Sequence, residues 1–278
     1  MLVFLVLVIA VGFVISYIYN NQSILYFAVL FAFLTNIIAY WNSDKIVLSM
    51  VHAKPVKRED FFDLYNITEN LAITAGLPMP RLYLMEDASP NAFATGRDPA
   101  HGVICVTTGL MSILSKEELE GVIAHEMSHI GNRDTLIATI AVILAGLIAI
   151  IADIALRSRI SSRGGGKGAN VIQLIGIIFI ILSPIAATLI RLAVSRKREF
   201  LADASGALLT RYPEGLASAL KKIESQINQN PLGVASNATA HLFIENPFGT
   251  KALSGIGKLF MTHPPVTERV NALIGSKK

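Results

Sequence analysis

A chain of 278 residues with 53% hydrophobic and only 16% charged side chains is too apolar for an ordinary soluble domain, where about a quarter are charged. Its net charge of +4 does not point to nucleic acid, because Lys and Arg gather beside apolar segments as membrane-flanking charges do. The single cysteine, Cys105, excludes an intramolecular disulfide and a cysteine-ligated zinc site. Within the apolar run Val103–Val106 it reads as a small core residue.

Met1–Tyr19 is almost wholly apolar and uncharged, long enough at 1.5 Å per residue for the roughly 30 Å hydrocarbon core of a bilayer. A secretory signal is the competing reading, weakened by the missing basic start and the missing small-x-small cleavage site. Asn20–Ser23 then forms an uncharged turn before a second apolar stretch, Ile24–Trp41. Tyr17, Tyr19 and Tyr26 gather at the turn, with Tyr40 and Trp41 at the far end, like interfacial aromatic belts. Lys45, Lys54, Lys57 and Arg58 follow. By the positive-inside rule that side is cytoplasmic, so residues 1–42 read as an N-in, C-in transmembrane hairpin.

Residues 43–134 have soluble-domain character. Arg58–Ala75 carries Phe61, Phe62, Leu64, Ile67, Leu71 and Ile73 as the apolar positions of a helix, ended by Gly76 and Pro78. Arg81–Met85 and Gly102–Thr107 read as strands that can pair in a small sheet. Ser89–Arg97 (SPNAFATGR) is turn-rich. It reads either as a plain loop or as the place where an extended peptide adds to the sheet edge, with Asn91, Ala92 and Phe93 as substrate-binding candidates.

Ser115–Asp134 reads SKEELEGVIAHEMSHIGNRD. Ser115 is a good N-cap and Glu118 completes a capping box. Leu119, Val122, Ile123 and Ile130 supply an apolar stripe, and Gly131-Asn132 is a stop signal. On that helix His125 and His129 stand at i and i+4, on one face, and can close on the same metal ion. Glu126 projects beside them, within reach of a metal-bound water. The plain alternative is an amphipathic helix with two ordinary histidines, so a third ligand has to come from elsewhere.

Thr135–Leu156 is a third apolar stretch, with Asp153 placed to pair with Arg157. Asn170–Val194 is a fourth, kinked at Pro184. The Gly-rich loop Arg157–Gly168 between them carries Arg157, Arg159, Arg163 and Lys167. Gly164–Lys167 is not a phosphate loop, lacking the preceding strand and the Ser/Thr after Lys. These positive charges oppose the positive-inside rule if both stretches cross. The lengths nevertheless predict a spanning hairpin over 135–194.

Ser195–Asp203 follows at once. Two histidines on one helix need a third protein ligand, and Glu199 is placed by a hairpin that returns the chain to the side it left. Asp203, one turn on, is positioned to accept the free ring N–H of a ligating histidine. Taken alone, the stretch also reads as a charge-rich helix start, with Arg196, Lys197 and Arg198 at lipid head groups. His263, held by Pro264 and Pro265, reads either as a second donor to the oxyanion or as part of a helix-entry turn before Val266–Ile274. His241 reads as a packed or groove residue, and His52 and His101 as surface residues.

HEMSH at 125–129, SPNAFATG at 89–96, SRKREFLADA at 195–204 and THPP at 262–265 occur in the order found in HtpX-like membrane-bound zinc endopeptidases, which the chain resembles over most of its length. The resemblance implies a mainly α, integral membrane protein. It would have four apolar transmembrane-type helices and a zincin-type α+β catalytic domain with a small β-sheet, split as 43–134 and 195–278 around the second hairpin. It further implies one Zn2+ held by His125, His129 and Glu199, with Glu126 as catalytic base. The implied substrates are misfolded or damaged membrane proteins and unfolded polypeptides, in stress-linked quality control at the inner (cytoplasmic) membrane, with the active site facing the cytoplasm. Partners are then the lipid bilayer and polypeptide, with no nucleic acid. Two alternatives stand beside it: an endopeptidase for prenylated CAAX proteins, and a non-catalytic membrane scaffold with a structural metal site.

Overall fold

In the computed structural model the described residues are 5, 9, 12–13, 16–17, 20–139, 195–229, 231–232, 239, 242–247 and 264–275. The expectations for 140–194, for most of Met1–Tyr19, and for His241 and His263 lie outside them. Over the described residues the chain is mainly helical, with one mixed sheet. Its elements are α1 (Gln22–Trp41), α2 (Ser43–Met50), β1 (Lys54–Pro55), α3 (Phe62–Ala75), β2 (Arg81–Met85), β3 (Ala92–Thr95) and β4 (Val103–Thr107), then α4 (Thr108–Ile113), α5 (Lys116–Gly131), α6 (Arg196–Thr210), α7 (Pro213–Ile227) and α8 (Val266–Ile274).

No helix among the described residues is long and apolar enough to cross a membrane; of the four expected spans, only the second, Ile24–Trp41, lies wholly within those residues. What α1 does display is 20 residues without an acidic or basic side chain, with Tyr26, Phe27, Leu30, Phe31, Phe33 and Ile38 all exposed.

The strands run in the order β1-β2-β4-β3. β2 and β4 are parallel, with Tyr83 opposite Cys105, while β3 is antiparallel to β4, with Phe93 opposite Cys105. The turn-rich SPNAFATGR is thus not a plain loop, because its centre is the edge strand β3. All five residues of β4 are buried, since both faces of the sheet are covered. A strand buried on both faces reads as an unbroken apolar run instead of an alternating one. The alternation survives in the packing. Ile104, Val106, Ala92 and Ala94 join the core with α3, α5 and α7, whereas Val103, Cys105 and Phe93 join a second core with Val47, Leu48 and Phe243. Cys105 is buried there, which pushes its thiol pKa up.

α5 begins as its capping box predicts. The Ser115 hydroxyl accepts from the Glu118 N–H at 3.4 Å, and the Glu118 carboxylate accepts from the Ser115 N–H at 2.8 Å. The same carboxylate receives Ser218 at 2.6 Å and Lys222 at 2.7 Å, tying α5 to α7. Along α5 the partners are chiefly α6, α7 and α3. α6 comes so close that a Cβ at Gly206 would stand 3.1 Å from the backbone N of His125. A side chain there would need a few tenths of an ångström of give where α6 settles onto the turn that carries the histidines.

Candidate metal centre

His125 and His129 project from the buried face of α5, and Glu199 enters from the first turn of α6. The two Nε2 atoms are 3.2 Å apart. Glu199 Oε2 lies 3.7 Å from His125 Nε2, and Oε1 lies 3.6 Å from His129 Nε2. One ligand atom from each residue falls within 4.8 Å of the others. A tetrahedral ion with bonds of ~2.1 Å keeps its ligand atoms ~3.4 Å apart, so the spacing fits a single small ion, and two imidazoles with a carboxylate are a donor set suited to zinc.

Behind each imidazole stands a carboxylate. His125 Nδ1 is 2.9 Å from Asp203 Oδ1, and His129 Nδ1 is 3.1 Å from Asp134 Oδ2. Each ring that gives its Nδ1–H to a carboxylate carries its lone pair on Nε2, on the side of Glu199, and at His125 the Arg269 Nη2 also lies 3.5 Å from that nitrogen. Behind each carboxylate stands an arginine. Arg269 grips Asp203 with two bonds, of 2.9 and 2.7 Å, and Arg198 Nη1 lies 3.5 Å from Asp134.

The charges around this cluster call for a cation. Glu126 and Glu199 are buried, at 2% and 5% exposure. With Asp134 and Asp203 they crowd four carboxyl groups around the two imidazoles, beside the guanidiniums of Arg198 and Arg269. The imidazoles register the crowding in opposite ways. Burial drives the pKa of His125 down to about 4, with Asp203 pulling the other way. For His129 burial also opposes charge, but the Asp134 hydrogen bond and the carboxylates of Glu199 and Glu126 overcome it and push the pKa up to about 9. The ring nearest most of the carboxylates thus attracts a proton, in the region where a metal cation would sit.

Asn91, Ala92 and Phe93 are all buried. The Asn91 amide donates to the Glu245 carbonyl at 3.1 Å, the Ala92 carbonyl accepts from the Ile244 N–H at 2.9 Å, and Phe93 packs edge-on against Phe243 at 5.3 Å. Segment 242–247 therefore lies along this part of β3. Arg198, read from sequence as one of three lipid-facing charges, instead turns toward Asp134. Asp134 and Arg269 were not singled out in the sequence. The available signal for Arg269 was a charge set among Val266, Val270 and Leu273, at the spacing of an apolar stripe on α8.

The family model for peptidase family M48 matches residues 59–277. The chain belongs to peptidase family M48. A relative in Thermoanaerobacter pseudethanolicus, described as a protease HtpX homolog, is 50% identical over 251 residues, covering 88% of this chain and 82% of its own. Another of the same description, in Pyrococcus furiosus, is 48% identical over 264 residues, covering 93% and 89%. The crystal structure of S. mikatae Ste24p shares the fold, with a TM-score of 0.54 at 17% identity. That match covers 95% of this chain, which spans 62% of the Ste24p chain. This M48 chain is a metalloprotease, and His125, His129 and Glu199 form its possible metal site.

Proposed function

We propose that this M48 protein is a membrane-bound zinc endopeptidase that cleaves misfolded or damaged membrane proteins, as part of stress-linked quality control, from the cytoplasmic face of the cell membrane. The observation that carries the reading is the meeting of His125 Nε2, His129 Nε2 and the Glu199 carboxylate within 4.8 Å, directly beside the buried Glu126. The exposed apolar side chains of α1 support an anchor in lipid, and the basic residues that follow it support the cytoplasmic side.

His125, His129 and Glu199 would hold Zn2+, which when bound supplies a Lewis acid that makes water nucleophilic near neutral pH and polarises a peptide carbonyl. Glu126 takes the proton from the attacking water and hands it to the departing amine. Asp203 and Asp134 accept the Nδ1 protons and so fix the tautomer and ring angle that turn each Nε2 toward the metal. The scissile segment lies extended along β3. The outward peptide groups of Ala92 are taken by Ile244 and Asn91, while Ala94 also turns its peptide groups away from β4, where they can pair with a substrate strand. His263, ahead of Pro264, is the proposed second donor to the oxyanion.

The test compares full-length wild type with Glu126→Gln, purified from alkali-washed membranes in detergent, for zinc content and for hydrolysis of a casein-like substrate. Both proteins are expected in the membrane fraction with about one zinc per chain, and the variant loses at least ~100-fold in hydrolysis. Undiminished proteolysis by Glu126→Gln overturns the mechanism, and protein released by the alkaline wash overturns the anchoring.

A further inference from the structure

Arg269 is fully buried, and the mechanism above makes no use of it. A guanidinium does not shed its proton, so removing it from water is costly unless fixed partners offset that cost. Its partners are specific. Nε donates to Asp203 Oδ2 at 2.9 Å and Nη2 to Asp203 Oδ1 at 2.7 Å, while Nη1 donates to the Ile244 carbonyl at 2.9 Å. Each partner leads to a working part of the site. Asp203 Oδ1 is 2.9 Å from His125 Nδ1, and the Ile244 N–H donates to the Ala92 carbonyl of β3 at 2.9 Å. A carboxylate gripped by two bonds from one planar group has lost its rotation, so the imidazole resting on it is fixed in tautomer and in ring angle.

We propose that Arg269 is a positioning residue for the protease reaction. Through Asp203 it sets the direction of His125 Nε2 toward the metal, and through Ile244 it sets the distance between that metal and the strand edge at Ala92. The proposal rests on the metal-ligand reading above and extends it to the C-terminal helix α8. The role depends on the fork of the guanidinium and not on its charge alone. Lysine neutralises Asp203 equally well but is a point charge without the planar pair of donors.

The experiment uses full-length protein in detergent: wild type, Arg269→Lys, and the double variant Arg269→Met/Asp203→Asn, which removes both charges and strands neither. Zinc affinity is measured by chelator competition, kcat and KM on a fluorogenic peptide, and folding by thermal unfolding. Arg269→Lys is expected to fold yet bind zinc about 10–100-fold more weakly, with kcat reduced, and the folded double variant is expected to show the same zinc defect. Wild-type zinc affinity and kcat in folded Arg269→Lys would mean that Arg269 only balances charge, and would overturn the proposal. Should Arg269→Lys not fold, wild-type zinc affinity in the double variant overturns it equally. A wild type that binds no zinc defeats the underlying metal reading and this proposal with it. Zinc-loaded wild type beside an unaffected Arg269→Lys defeats this proposal alone.

Discussion

Asp203 and Asp134 perform the same office for His125 and His129, but in different surroundings. The side chains of Asp203 and Arg269 are 2% and 0% exposed, whereas those of Asp134 and Arg198 are 13% and 20% exposed and meet through one longer contact of 3.5 Å. Asp203→Asn leaves a buried guanidinium without its counter-charge, a loss of about 3–5 kcal/mol. Asp134→Asn loosens a pair that water already reaches, a loss of about 1 kcal/mol or less. Both should weaken zinc binding by about 10-fold. Denaturant midpoints alongside chelator competition separate the two effects, and equal loss of stability in both variants contradicts this account. The same contrast explains what was legible in the sequence. The spacing of His125 and His129 is local, and the placement of Glu199 and Asp203 on one helix face is local too. Arg269 reaches the site only through tertiary packing from a segment near the C-terminus. Arg198 was hidden differently, in a basic run whose neighbours Arg196 and Lys197 are exposed.

Among the elements, α5 had the most legible start, and its cap does more than its local pattern implies. Glu118 closes the capping box and also joins α5 to α7 through Ser218 and Lys222. Burial pushes its carboxyl pKa up, but the hydrogen bonds from Lys222, Ser218 and the Ser115 N–H outweigh that and hold it below 4.5. A carboxyl depressed in the folded chain adds stability that is complete above the unfolded value and is lost as pH falls through the folded one. Glu118→Gln keeps a capping-box side chain and loses the charge. The variant should be less stable by about 1 kcal/mol at neutral pH, with the gap closing below pH 4.5. Thermal unfolding across that range checks it, and a gap undiminished at about pH 3 refutes the linkage. The strands were harder to read. β2 and β4 announced themselves as apolar runs, but β3 is short, lies among turn residues and is strand only because β4 pairs with it. β1 has two residues, Lys54 and Pro55, and no periodicity can reveal a strand of that length.

At the scale of the whole molecule, two lengths of chain meet at the candidate metal centre. Residues 43–134 supply the sheet, α3 and α5, while residues from 195 onward supply α6, α7 and α8, and the main core draws on both. The sequence order alone left unsettled whether two such distant lengths share a single core. The pair Asp134–Arg198, 3.5 Å apart, marks where the chain departs toward the third apolar stretch and where it comes back. Departure and return share one doorway, beside His129, and that has a consequence for how the enzyme is divided between chemistry and delivery. A joint of about ten Gly and Ser residues in place of 140–194 reaches across such a gap. A chain rebuilt this way should still fold, load zinc and cut a soluble peptide, while losing hold of substrates embedded in lipid. Loss of zinc or of folding in the rebuilt chain would show that the insert is part of the catalyst. Retention of both would make the apolar insert a postal address, written into the middle of a protease that is otherwise complete without it.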